Sequence, residues 1–408
     1  GKYLEFKPST GQRNSLVNDV VLKIFEDKTG NIWIGTLSGL SLYSPIIYQF
    51  GQIGAQNGNI TGLLDENVYY VYESLQGDIW FCTYNGGISK LNLKTKKVIN
   101  YDISNTKGLA NNSTNSLLQE DLDNYWVGSA NGGLYLFNEK KKEFKEIQFE
   151  TTPAYIRSLE KSNDNLLWVG GLNGLFSYKI DEKETFQYDD LRLENIYKIV
   201  PLKDENKLLI ASFNHGLMLF DIETKKVVKQ YLHSDEDSLS ISNNSVMCIT
   251  PWSKDSYVVG TYGGGFSVFN YTLGTFNNYG IKDGLSNEAI YGVLKDERFV
   301  WLSSNKGLSR FNLLTNEVKN YDNISQVQSL EFNEGAFFKS TTGVLYFGGI
   351  NGVNYFNPSN LKENKVKPYI IIQKVKIFEE DFPFEEGLIN ENKVLLTYQQ
   401  NFVGFEFA

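Results

Sequence analysis

One phrase, repeated eight times, constrains this chain more than any other feature. It first reads Asn31-Ile32-Trp33-Ile34-Gly35-Thr36-Leu37-Ser38-Gly39-Leu40-Ser41-Leu42-Tyr43. It returns around Trp80, Trp126, Trp168, Leu209, Val258, Trp301 and Tyr346, at separations of 47, 46, 42, 41, 49, 43 and 45 residues. Self-similarity at such a period marks a repeat architecture, and each copy reads as four short strands. An apolar strand such as Val68–Tyr72 comes first, as an inner strand buried on both faces should. A turn leads to the strand that carries the Trp. An Asn-Gly or Gly-Gly pair then turns the chain, because such positions need positive φ. An alternating third strand and an outer strand with an aromatic, as in Thr275–Tyr279, complete the copy. The fold class is therefore all-β, a propeller of four-stranded antiparallel blades. The 3.6-residue periodicity of a leucine-rich or helical solenoid is absent.

The blade number follows from how the ring closes. Eight copies fit an eight-bladed ring closed by Tyr3–Phe6, or seven blades plus one extra copy. The seven-bladed reading is favoured, because Ser44-Pro45 makes the first copy end unlike the others. Residues near Ile47–Phe50 are then expected to supply the outer strand of the last blade, closing a ring from Asn67 to Pro358. Three segments follow: 1–50 as a blade-like repeat, the last blade of a preceding propeller; 51–365 as the propeller; 366–408 as a short sandwich-like segment. The last is too short for the roughly 100 residues and seven strands of a sandwich. Its strands, Tyr369–Phe378 and Lys393–Phe407, are expected to pack on the propeller, to pair with another copy in a homodimer, or to be poorly ordered.

The repeated Trp reads as architecture, since Leu209 and Val258 replace it in two copies. Chemistry elsewhere is sparse. With only His215 and His233, a His-based catalytic metal or a Ser-His-Asp triad is not expected. Cys82 and Cys248 lie in strands and read as small buried hydrophobes. Glu26-Asp27 and Glu120-Asp121 repeat a turn-forming role, and Asp235-Glu236-Asp237 reads as a solvated run. No catalytic residue, metal site or cofactor is assigned. A net charge of −9 and pI near 5.1 argue against nucleic acid and anionic lipid. No stretch reads as a membrane helix or signal peptide, and the chain looks like an excised fragment.

What remains is a recognition face. In a propeller the hairpin after the second strand opens beside the loop entering the inner strand. The hairpins carry Tyr84-Asn85, Phe213-Asn214 and Tyr262; the entering loops carry Asn67-Tyr69, Tyr155-Arg157, Tyr197-Lys198 and Glu288-Tyr291. Aromatic faces stack on sugar rings, and Asn and Arg donate to hydroxyls, carboxylates or sulfates. Tyr84, Asn85, Arg157, Tyr197, Phe213, Tyr262 and Tyr291 are the ligand-binding candidates. Turn geometry explains the Asn residues equally well, but turns require neither Tyr nor Arg.

The phrases GNIWIGT and NGGLYLFN, and the last copy from Phe332-Asn333-Glu334-Gly335-Ala336 to Asn357-Pro358, resemble one family. It is the periplasmic sensor region of bacterial hybrid two-component systems, two seven-bladed propellers followed by a Tyr-rich immunoglobulin-like domain. Lys367–Ile372 and Leu395–Phe402 resemble the start of that domain. The resemblance implies a periplasmic sensor of oligosaccharides, in contact with the other propeller and the immunoglobulin-like domain of its own chain, that signals to a cytoplasmic histidine kinase. A propeller lyase or glycosidase acting on a polysaccharide is the alternative.

Overall fold

The computed structural model describes residues 8, 15–44, 49–56, 58–163, 165–202, 205–322, 327–362, 372–378, 380–382, 396 and 398–407. Its strands follow the repeat: Ile79–Thr83, Asn124–Ser129 and Leu166–Gly171 carry the Trp, and their hairpins turn at the Gly positions.

Seven sheets, antiparallel but for one edge strand, form a ring. Blade 1 runs from Val68–Glu73 to Val98–Tyr101, and blade 2 from Thr114–Gln119 to Glu143–Ile147. Blade 3 spans Ser158–Asn163 to Glu184–Gln187, and blade 4 Ile196–Leu202 to Lys226–Tyr231. Blade 5 spans Val246–Ser253 to Thr275–Tyr279, and blade 6 Ile290–Asp296 to Val318–Tyr321. Blade 7 takes Phe332–Lys339, Leu345–Gly349 and Gly352–Phe356 from the end of the ring and its fourth strand, Gly51–Gly54, from the beginning, with Ile60–Thr61 paired parallel outside it.

The core lies between the sheets. Trp80, Ile88 and Tyr101 of blade 1 pack against Tyr125, Phe137 and Phe144 of blade 2. Trp301 and Tyr321 of blade 6 meet Phe347 and Phe356 of blade 7. The final gap is sealed by Ile53, Tyr346 and Val353 of blade 7 against Val68, Val71 and Phe81 of blade 1. Blade 7 therefore abuts blade 1, and the ring has seven members. The rival closing strand, Tyr3–Phe6, lies outside the described residues.

The closing strand sits a few residues later than expected. Ile47 is outside the described residues, and Phe50 is not in the strand. Phe50 instead wedges edge-on between Phe356 and Tyr321, at centroid distances of 4.7 and 5.1 Å. Gly51 then passes so close to the Tyr355 ring that a Cβ would lie 2.3 Å from it. Only a residue without a side chain can start the strand there.

Two sheets stand outside the ring. Val21–Glu26, Ile32–Thr36 and Gly39–Tyr43 repeat the blade pattern, yet all six residues of the first strand are exposed. Trp33 is accordingly only half-buried, whereas Trp80, Trp126, Trp168 and Trp301 are at most 1% exposed. Trp33 differs because, among the described residues, no neighbouring sheet covers its indole. The contrast is testable by urea denaturation. Trp126→Ala or Trp168→Ala should cost about 3–5 kcal/mol. Trp33→Ala should leave the propeller transition within about 0.5 kcal/mol. At the other end, Ile372–Ile377 is flanked by Glu380–Phe382 and Val403–Phe407, with Val375 and Ile377 buried and Phe405 and Phe407 exposed. Tyr369 and Lys393, the expected starts of these strands, lie outside the described residues.

Candidate functional site: an aromatic funnel

Five of the seven inner strands share one irregularity near their start. In blade 1 Val68 pairs with Thr83 and Tyr70 with Cys82, so Tyr69 is squeezed out of register. Asn115, Tyr197, Met247 and Tyr291 occupy the same position in blades 2, 4, 5 and 6. Arg157 takes it in blade 3, its amide donating to the Gly170 carbonyl. A β-bulge re-aims its extra side chain, and here each bulge turns one toward the ring axis. Blade 7 goes furthest: Phe332 pairs with Gly349 and Phe337 with Phe347, so the residues between bow out. Gly335, at φ 76°, permits that bow and presents Glu334 to the axis.

The hairpin aromatics sit above this ring. They are held by one recurrent bond, from the amide after the second strand to the entering loop of the same blade. Tyr84 donates to Asn67, Phe213 to Asn195 and Tyr262 to Ser245, at 2.8–3.0 Å. The result is a funnel of about 380 Å³ lined by Tyr69, Tyr155, Tyr197, Phe213, Tyr262 and Tyr291, with Met247, Glu331 and Glu334. Tyr197, Phe213, Tyr262 and Tyr291 follow one another at centroid spacings of 5.9, 6.2 and 6.3 Å. Tyr262 is 47% exposed, so its face is offered to solvent.

Arg157 is the fixed point of the funnel. Its guanidinium lies 4.3 Å from the ring centroids of both Tyr155 and Tyr197. Its Nε donates to Glu334 Oε1 at 3.1 Å and its Nη1 to Asn195 Oδ1 at 2.9 Å. Tyr155 holds φ at 48°, a left-handed conformation costly for a bulky residue and characteristic of functional sites. Burial, and then the negative charge of Glu334, pushes the Tyr197 phenol up to about 12. Burial, then Tyr155, does the same for Tyr69. Both phenols remain neutral hydrogen-bond donors at any physiological pH.

Next to Tyr197 on the blade 4 inner strand, Lys198 makes an ion pair with blade 3, Nζ to Glu160 Oε1 at 2.5 Å. Burial alone would lower the Lys198 amine; the Glu160 carboxylate outweighs it and holds the amine above its usual range. Cys82 and Cys248 are buried free thiols, both pushed up to about 12 by burial. Unionised thiols of this kind are poor nucleophiles. Among the described residues no group of three or more His, Cys, Asp or Glu is arranged to hold a metal.

Of the seven candidates read from the sequence, Arg157, Tyr197, Phe213, Tyr262 and Tyr291 line or floor this funnel. Tyr84 stands at its edge, 6.1 Å from Tyr69. Asn85 does not join them: it is exposed in its turn, with its amide donating to Asp65 Oδ2. Glu334, Asn115, Met247 and Asn195 were missed. The signal for Glu334 was present in the Asn333-Glu334-Gly335 phrase, whose Gly marks a bulge.

Comparison with known proteins agrees with this architecture. The two-component regulator propeller family matches residues 15–38. Over 324 residues, 75% of this chain, the sequence is 29% identical to histidine kinase P4 of Formosa agariphila, of which the match occupies 23%. The extracellular domain of a putative hybrid two-component system from B. thetaiotaomicron matches 99% of this chain and 54% of its own, at 25% identity and a TM-score of 0.80. A second such domain from that organism, at 19% identity and a TM-score of 0.62, shares the fold. This chain spans about a quarter of the kinase and about half of the solved domains. The resemblance to hybrid two-component sensor regions stands, and with it the propeller class. The likeness to extracellular domains supports a sensor role and an extracytoplasmic location.

Proposed function

We propose that this chain is the ligand-sensing propeller region of a hybrid two-component sensor and that its funnel binds an oligosaccharide in the periplasm. Binding would be relayed to a cytoplasmic histidine kinase through the rest of the whole protein, including a second propeller and an immunoglobulin-like domain that residues 366–408 begin. The carrying observation is the funnel itself. Bulged inner strands and the hairpins of Phe213 and Tyr262 converge on an opening of about 380 Å³ whose lining is mostly aromatic, tyrosine above all. Tyrosine supplies large rigid faces at little entropic cost and a hydroxyl that stays wet, which suits a ring of alternating C–H and O–H groups.

The test is calorimetry against a panel of tetra- to hexasaccharides, with mass spectrometry of the incubated sugars. The expected result is saturable binding with every sugar recovered intact. Tyr262→Ala and Tyr197→Ala should each weaken binding roughly tenfold, equivalent to about 1.4 kcal/mol. Shortened products at enzyme-like rates would replace this reading with a propeller lyase or glycosidase.

A further inference from the structure

We propose that the funnel selects an uncharged oligosaccharide and that Asn115, at its floor, reads one hydroxyl group of that sugar. This rests on the glycan reading above and adds to it a chemical class and a specificity residue. Asn115 is 4% exposed, yet both its amide nitrogen and its amide oxygen lack a hydrogen-bond partner. Buried polar groups left open in this way are rare in folded proteins and point to an occupant. The side chain lines a small recess of about 20 Å³ that shares Tyr69, Tyr155, Tyr197 and Glu334 with the funnel and adds Arg157. A space of that size holds one water molecule, or one hydroxyl that displaces it.

The polarity of the cavity agrees with its size. A primary amide with both ends open offers one acceptor and two donors, which match a hydroxyl that donates and accepts. A carboxylate would satisfy only the nitrogen. Charge points the same way. Arg157 is the one cation among the funnel-lining residues, and Glu334 already pairs with it. Glu331 adds a second negative charge to the lining. A uronate or sulfated sugar would have to compete with Glu334 for the Arg157 guanidinium and sit beside two carboxylates. An uncharged sugar keeps the pair intact and stacks on the rings.

The experiment is calorimetry on the 408-residue chain with two sets of probes. One holds neutral gluco-, manno-, galacto- and xylo-oligosaccharides; the other holds oligogalacturonates and sulfated galacto-oligosaccharides. At least one neutral probe should bind and the charged set should not. Asn115→Leu should weaken that binding at least about tenfold without lowering the thermal midpoint, and Asn115→Ser should weaken it less. Glu334→Gln should admit charged probes by releasing the Arg157 charge. Tighter binding of charged probes to the unaltered chain would overturn the charge class and leave the glycan reading standing. Undiminished binding by both Asn115 variants would overturn the role of that residue. Failure of both probe sets on the folded chain would overturn the glycan reading and this inference with it.

Discussion

Removing residues 1–44 should leave a folded propeller, whereas removing residues 1–58 should abolish its cooperative unfolding transition. The difference is the closing strand. Gly51–Gly54 pairs with Gly352–Phe356, and Ile53, fully buried, fills the seam between blades 7 and 1. Burying one such side chain is worth about 1.5–3 kcal/mol, and each ladder hydrogen bond adds about 0.5–1.5 kcal/mol. Phe50 would be lost too, and with it the wedge against Phe356 and Tyr321. The combined loss is a large share of the 5–15 kcal/mol that holds a typical domain together. Among the described residues, the shorter deletion removes the three-stranded sheet outside the ring, none of whose residues enters the seven seams. The longer one also bares Gly352–Phe356 as an unpaired edge, which favours association. Thermal melts with size-exclusion chromatography would separate these outcomes, and a peptide of residues 46–58 should partly restore the longer deletion. A normal melt after removal of residues 1–58 would mean that the ring closes without this strand.

The second large effect is expected at Arg157. Arg157→Ala should abolish oligosaccharide binding and lower stability by about 2 kcal/mol. The stability loss combines two cation–π contacts, at about 0.5–1 kcal/mol each, with a carboxylate left without its partner. The ion-paired side chains are 14% and 22% exposed, so the penalty falls below the 3–5 kcal/mol of a fully dry pair. Adding Glu334→Gln to Arg157→Ala should restore most of the stability and none of the binding. Arg157→Lys should behave like Arg157→Ala in binding, because an ammonium cannot stack between Tyr155 and Tyr197 while holding Glu334 and Asn195. Calorimetry beside chemical denaturation reads both effects. Full binding by Arg157→Ala would show that Arg157 takes no part in recognition.

The sequence by itself determined the blade. The spacing of Trp80, Trp126, Trp168 and Trp301, with their Leu, Val and Tyr substitutes, sets the period, and the Gly pairs set the hairpins. Both are local properties, carried by propensity and turn geometry within about 45 residues. Placing Tyr197, Phe213, Tyr262 and Tyr291 on one face followed from strand order alone, since hairpin and entering loop must share an end of the blade. Only the tertiary structure decided the rest. Gly51–Gly54 closes the ring across some 300 residues of sequence, and no local pattern distinguishes it from other short glycine-containing stretches. The aim of Asn115, Met247 and Glu334 depends on bulges, which are register shifts between two strands and leave no reliable trace in either strand read alone. Trp33 shows the same limit from the other side. Its phrase matches the other copies, but burial needs a neighbouring sheet, and a repeat does not say which of its copies will have one.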